Sequence, residues 1–199
     1  MRFDKRPWVA IDFKREDIFD LVGFPPIQPL SLPRLPKRKG LHLISPRPDQ
    51  EEALEAWLWR VWHRENIGLY IDEAALMPDR DAWRAILQQG RSKRIPVIAC
   101  TQRPVDVKRA LFTEASYFCT YRLQDRRDAR VIEGFMPADL STPMPPFHWQ
   151  WYDVQRNALM RMSPVPDKPA VADELRGRLP FEYRPFAWGT MPQQRLRVV

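Results

Sequence analysis

Glycine and cysteine are scarce in this 199-residue chain, which has 7 glycines and 2 cysteines beside 21 prolines. The glycine shortage accompanies a specific absence. No stretch matches G-x-x-x-x-G-K-[ST], the pattern whose backbone amides and lysine cradle nucleotide phosphates, and neither Lys14 nor Lys93 lies in a glycine-rich setting that could replace it. Cys100 and Cys119 sit in apolar, strand-like runs without a C-x-x-C spacing or a histidine companion. That predicts reduced core thiols, with a disulfide as the weaker reading. His42, His63 and His148 have no metal-ligand spacing, and no Ser/His/Asp or Cys/His arrangement is present. No apolar run approaches the length that spans a bilayer, and Met1 to Arg6 has no signal-peptide h-region, so the sequence reads as cytoplasmic.

What the chain does have is positive charge and aromatics. Its 32 Lys and Arg exceed 25 Asp and Glu, for a formal net charge of +7, and there are 8 tryptophans. Anionic partners are favoured, nucleic acid first because arginine binds phosphate bidentately; a solvated basic surface is the plain alternative.

The pattern along the chain alternates strands and helices. Trp8 to Lys14 reads as a strand whose exit carries charge, and Gly40 to Ser45 as a second. Between them Pro25, Pro26, Pro29, Pro33 and Pro36 interrupt regular structure, and Lys37-Arg38-Lys39 forms an exposed basic connector. From Asp49, a candidate cap, Leu54, Leu58, Val61 and Trp62 recur at helical spacing, with Trp59 on another facet. Asn66 to Ile71 is an apolar run that ends in Asp72-Glu73. A helix over 79–89 follows, then a buried strand over 95–102, helix to Ala115, strand over 116–123 and helix over 124–135. Such alternation implies βαβ units and a mostly parallel α/β sheet flanked by helices. Residues 148–162 read as a hairpin carrying Trp149 and Trp151 on one face, and 164–199 as a proline-rich extended arm whose Phe181, Tyr183, Phe186 and Trp188 dock on something. The division expected is a core over 1–142, a hairpin over 143–163 and the arm.

Three pieces in this order carry a family resemblance: the strand ending Ile11-Asp12-Phe13-Lys14, the strand ending Ile71-Asp72-Glu73, and Arg91 to Arg94 leading into Thr101-Gln102-Arg103-Pro104. Over about Pro7 to Pro137 the chain resembles FtsK/HerA-type P-loop ATPases, the RecA-like (ASCE) ring motors that move DNA, viral packaging ATPases among them. The resemblance implies ATP and Mg²⁺ as ligands, DNA as partner, a homo-oligomeric ring or a complementing chain, and association with a virion or capsid. It makes Asp72-Glu73 the end of a Walker B strand, with Asp72 holding Mg²⁺ and Glu73 polarising water. Gln102 becomes the γ-phosphate sensor, and Arg91 or Arg94 an arginine reaching a neighbour's nucleotide. Two plainer readings stand beside it: acids that merely end a strand, and arginines that complement a helix end.

The same resemblance places the phosphate loop after a first core strand that lies between the fourth and fifth. Without that strand, 95–102 and 116–123 should present open edges, unless the sheet has rearranged so that these strands pair directly. The expected function is therefore an ATP-driven DNA translocase or packaging subunit that holds the Walker B and sensor half, its phosphate loop supplied by an upstream segment or a partner. The alternative is a non-catalytic DNA-binding or ring-partner protein that retains the fold.

Overall fold

Successive residues of Trp8-Val9-Ala10-Ile11 point to opposite faces of a strand, and all four are apolar, so a sheet built on them must be covered on both sides. In the computed structural model, which describes residues 1–23, 35–138, 140 and 143–179, that is the arrangement found. Strands β1 (Pro7–Ile11), β2 (Gly40–Ile44), β3 (Gly68–Ile71) and β4 (Val97–Ala99) form a parallel sheet in the order β2-β1-β3-β4. Helices α1 (Asp17–Val22), α2 (Glu51–Arg64) and α3 (Asp81–Gln89) connect them in sequence.

Val9 and Ile11 pack with Leu54, Trp57, Leu58 and Val61 of α2 and with Trp83 and Ile86 of α3. Trp8 and Ala10 pack on the opposite face with Phe19 and Val22 of α1. Ala172 of α6 (Lys168–Arg178) joins that second cluster, so residues expected as part of an extended arm are helical instead. The helix forms because the Asp167 carboxylate accepts from the Ala170 amide as an N-cap and Pro169 stands in the first turn, where its missing N–H costs nothing. Lys168 also pairs with Asp17 of α1 at 2.6 Å. The aromatic residues Phe181 to Trp188 lie outside the described residues, as do Pro25, Pro26, Pro29 and Pro33.

A second sheet holds β5 (Tyr117–Thr120), β6 (Trp149–Asp153) and β7 (Ala158–Met162), antiparallel in that order. The hairpin expected over 148–162 is β6 and β7, and its first strand pairs with β5. Phe118 and Tyr152 face Phe112 of α4 (Arg109–Thr113) and Ile132 of α5 (Arg126–Glu133).

The two sheets do not join. Among the described residues β4 pairs only with β3 and β5 only with β6, so each presents an open edge, as the lost-strand argument anticipates. This corrects the reading of 95–102 as a buried strand: β4 is shorter, Val97–Ala99, and its Ile98 is 39% exposed. Cys100 and Cys119 are free thiols as expected, yet exposed rather than core. The helix before β3 also begins later than Asp49, which pairs with Arg47 rather than capping.

Gly68 opens β3 at a close approach, since a Cβ there would come within 2.3 Å of the Trp8 ring. Gly68→Val is expected to lower stability by about 1–3 kcal/mol through overpacking against that indole. Urea unfolding checks it, and an unchanged midpoint would contradict the close approach.

Candidate functional site

Parallel pairing sets Ile11 beside Ile71 and Ile71 beside Ala99, so the residues that follow emerge together at the carboxyl edge. The ladder continues one residue further. The Asp72 amide donates to the Ile11 carbonyl at 3.0 Å and the Cys100 amide to the Ile71 carbonyl at 2.8 Å. Charged residues after β1 and β3 and polar ones after β4, from 12 to 102 in sequence, thereby meet in one place.

Asp12 builds the first part of that place. It is 1% exposed, and its carboxylate accepts from the backbone amides of Lys14 (3.2 Å), Arg15 (2.8 Å) and Glu16 (2.9 Å). Burial pushes the carboxyl above the usual Asp range while those amides pull it back. The wrapped turn forces Arg15 into the left-handed region at φ 59° and aims Lys14 across the edge.

Lys14 meets Glu73. Its ammonium lies 2.6 Å from one Glu73 oxygen, and the Thr101 hydroxyl donates to the other at 2.7 Å. The Gln102 backbone N–H adds a longer bond at 3.4 Å. Burial raises the Glu73 carboxyl, but the hydrogen bonds from Lys14 and Thr101 outweigh it, and the net shift is downward. Glu73 is thus an ionised carboxylate held at both oxygens on a nearly buried site.

Asp72 is placed differently. Burial, then the nearby Glu16 and Asp12, push its carboxyl upward against the opposing Lys14. Its Oδ2 is buried with no hydrogen-bond partner among the described residues. One orphaned carboxylate oxygen is the kind of ligand that Mg²⁺ takes. No group of three or more His, Cys, Asp or Glu forms a ready metal cage among the described residues. Most ligands would have to come from water or phosphate, which is the usual way Mg²⁺ is held.

Gln102 stands at this edge, its exposed side-chain amide making no hydrogen bond among the described residues. Its loop is anchored from behind. The buried Asp128 carboxylate of α5 accepts from the Arg103 guanidinium at 3.2 Å and from the Val105 amide at 2.9 Å.

Of the residues expected at the site, Asp72, Glu73 and Gln102 come together, whereas Arg91 and Arg94 do not. Both arginines are exposed in the turn that precedes β4, at the amino edge of the sheet, and Arg94 adopts φ 57°. Within one chain they are remote from the acids. Lys14, Asp12, Thr101 and Asp128 were missed by sequence reasoning as working parts. The available signal was positional: a buried strand delivering charge at each end where a neighbouring strand does the same.

No family model matches the chain. It is 35% identical over 181 residues to the DNA packaging ATPase P9 of Enterobacteria phage PRD1, covering 85% of this chain and 79% of that protein. The genome packaging NTPase B204 of Sulfolobus turreted icosahedral virus 2, solved with ATP-gammaS, shares its fold at a TM-score of 0.63 and 17% identity, over 82% of this chain and 85% of that one. B204 of Sulfolobus turreted icosahedral virus does so at a TM-score of 0.61 and 15% identity, over the same shares. At 35% identity to P9 along most of its length, the chain belongs to the family of phage DNA packaging ATPases that includes that protein.

Proposed function

We propose that the chain works as a subunit of an ATP-driven DNA packaging motor of the FtsK/HerA type, with β3 as its Walker B strand. The observation that carries this reading is the convergence of Asp72, Glu73 and Gln102 at one sheet edge. Asp72 would hold Mg²⁺ through its orphaned oxygen, and that ion would neutralise charge on the phosphates. Glu73 orients and polarises the attacking water once Lys14 yields its oxygen. Thr101 keeps the second oxygen fixed, so the carboxylate pivots rather than swings free. Gln102 offers an uncharged amide that donates to phosphate or accepts from water.

No stretch of the sequence matches the glycine-rich pattern that cradles phosphates. On this reading hydrolysis uses a glycine-rich segment supplied by an upstream segment or a partner, and the open edges of β4 and β5 are where its strand would add. Arg91 and Arg94, remote from their own acids, are suited to reach a neighbour's nucleotide in a homo-oligomeric ring, where an arginine in trans stabilises developing charge. No helix among the described residues is long and apolar enough to cross a membrane, and virion association follows from the packaging role.

One observation favours a second reading. Lys14 neutralises Glu73, as it would in a non-catalytic subunit that keeps the fold to bind DNA or a ring partner. The two readings part on nucleotide. With the glycine-rich segment restored, Glu73→Gln is expected to reduce DNA-stimulated hydrolysis by at least about 10²-fold while leaving ATP binding intact. Unchanged turnover would remove Glu73 from the mechanism, and absence of ATP binding in the restored protein would select the second reading. Asp12→Ala should cost about 2–3 kcal/mol, because three backbone amides lose a charged acceptor. Thermal or urea unfolding measures it, and a loss under 0.5 kcal/mol, on the order of a surface substitution, would show that the 12–16 turn stands without that carboxylate.

A further inference from the structure

We propose that the face formed by Arg109 of α4 with Arg126 and Arg130 of α5 binds the phosphate backbone of DNA. The proposal rests on the packaging reading and adds to it a place of contact on the chain. A cleft of about 290 Å³ opens between the 3-10 turn Pro104–Asp106, α4 and α5. Phe112, Val131 and Phe135 line it, and Arg109 and Arg130 stand at its wall. The Arg109 guanidinium lies over the Phe135 ring at 5.2 Å, which braces the head group and leaves its N–H fork free to donate outward.

Arg109, Arg126 and Arg130 are all exposed, and none has a carboxylate partner among the described residues. The acids nearby are already engaged. Asp128 is turned into the protein on Arg103 and Val105, and Asp125 caps α5 through the Arg127 amide while pairing with the Arg127 side chain. Asp106 lies near Arg103, and Glu133 at the end of α5 accepts from the Leu140 amide at 3.1 Å; Glu133 and Glu114 at the end of α4 are the local acids without an ion pair among the described residues, against three arginines. The outer surface is thus an uncompensated cationic one on a chain already at +7.

Two features favour a phosphodiester chain over an acidic protein segment. Arg126 and Arg130 are one helical turn apart, about 5–6 Å between Cβ atoms, a separation comparable to that of successive phosphates on one strand. A planar guanidinium also matches phosphate oxygens two at a time. The inward side of the same helix anchors the Gln102 loop through Asp128, so a DNA contact on α5 and a γ-phosphate contact at Gln102 would share one rigid connection of 3.2 Å and 2.9 Å bonds.

The test uses the full chain and a fluorescent DNA duplex, with affinity measured across a salt series. Log affinity should fall linearly with log salt. The triple variant Arg109→Gln, Arg126→Gln, Arg130→Gln should weaken binding on the order of tenfold or more and flatten the slope by up to about 2.7, at about 0.9 per phosphate contact. A control that removes equal charge, Lys37→Gln, Arg38→Gln, Lys39→Gln, should change the slope far less. Equal effects of the two variants would overturn the site while sparing the DNA reading. A wild-type chain with no salt-dependent affinity would overturn the DNA reading and the site with it. Displacement of DNA by charge-matched polyglutamate, at parity with unlabelled DNA, would assign the face to an acidic protein and overturn the proposal. The three side chains are exposed, so a matching unfolding midpoint confirms that the variant is folded.

Discussion

Everything at the site depends on the parallel register of β1, β3 and β4. Because Ile11, Ile71 and Ala99 are hydrogen-bonded neighbours, the first residue past each strand is delivered to the same edge. Register in turn depends on burial from both faces: Val9, Ile11 and Ile71 face one helical layer, and Trp8, Ala10 and Tyr70 the other. A slip of one residue would exchange those sets and place Trp8 where Val9 fits. Asp12, Asp72 and Glu73 are costly to bury, and the apolar sandwich behind them holds them there against that cost.

The electrostatics of the edge follow from the same placement. Lys14 is the cation that makes the assembly tolerable, since Asp12, Glu16, Asp72 and Glu73 would otherwise repel one another. Its effect is uneven. Glu73, in direct contact, is held ionised, while Asp72, reached only through space, is shifted the other way by burial and by its acidic neighbours. Two adjacent carboxylates thus have different characters, one clamped and one under-satisfied, and that difference is what a division into water-polarising and metal-holding roles requires.

How much of this was legible in the sequence follows the range of the interactions. Strand and helix placement was largely local: apolar runs such as Ile67 to Ile71 and periodic ones such as Leu54 to Val61 have the spacing of their final structure. The pairing of β2 on the outer flank and β6 on β5 was not, because such contacts leave no periodic trace. Residues 168–178 were misread because prolines on both sides obscured a short capped helix. Ile98 and Cys100 looked buried because an apolar run reads alike at an edge and in a sheet interior. At the site, Asp72, Glu73 and Gln102 were legible as residues at strand ends. Lys14 and Thr101 were not, because their importance lies in bonds of 2.6 Å and 2.7 Å across 59 and 28 residues of sequence. Asp128 was hidden among the arginines of α5, and its role lies in bonds to Arg103 and Val105 more than twenty residues away.

The central claim is that the edge holding Asp72, Glu73 and Gln102 is half of an ATP site. It is tested most directly by an experimental structure of the assembled packaging subunit with a non-hydrolysable ATP analogue and Mg²⁺. The account predicts Asp72 in the metal's coordination sphere, directly at about 2.0–2.1 Å or through one water. It also predicts the Gln102 amide against the terminal phosphate, and Glu73 turned from Lys14 toward a water in line with that phosphate. A nucleotide bound elsewhere, with the Lys14–Glu73 pair still closed, would contradict it.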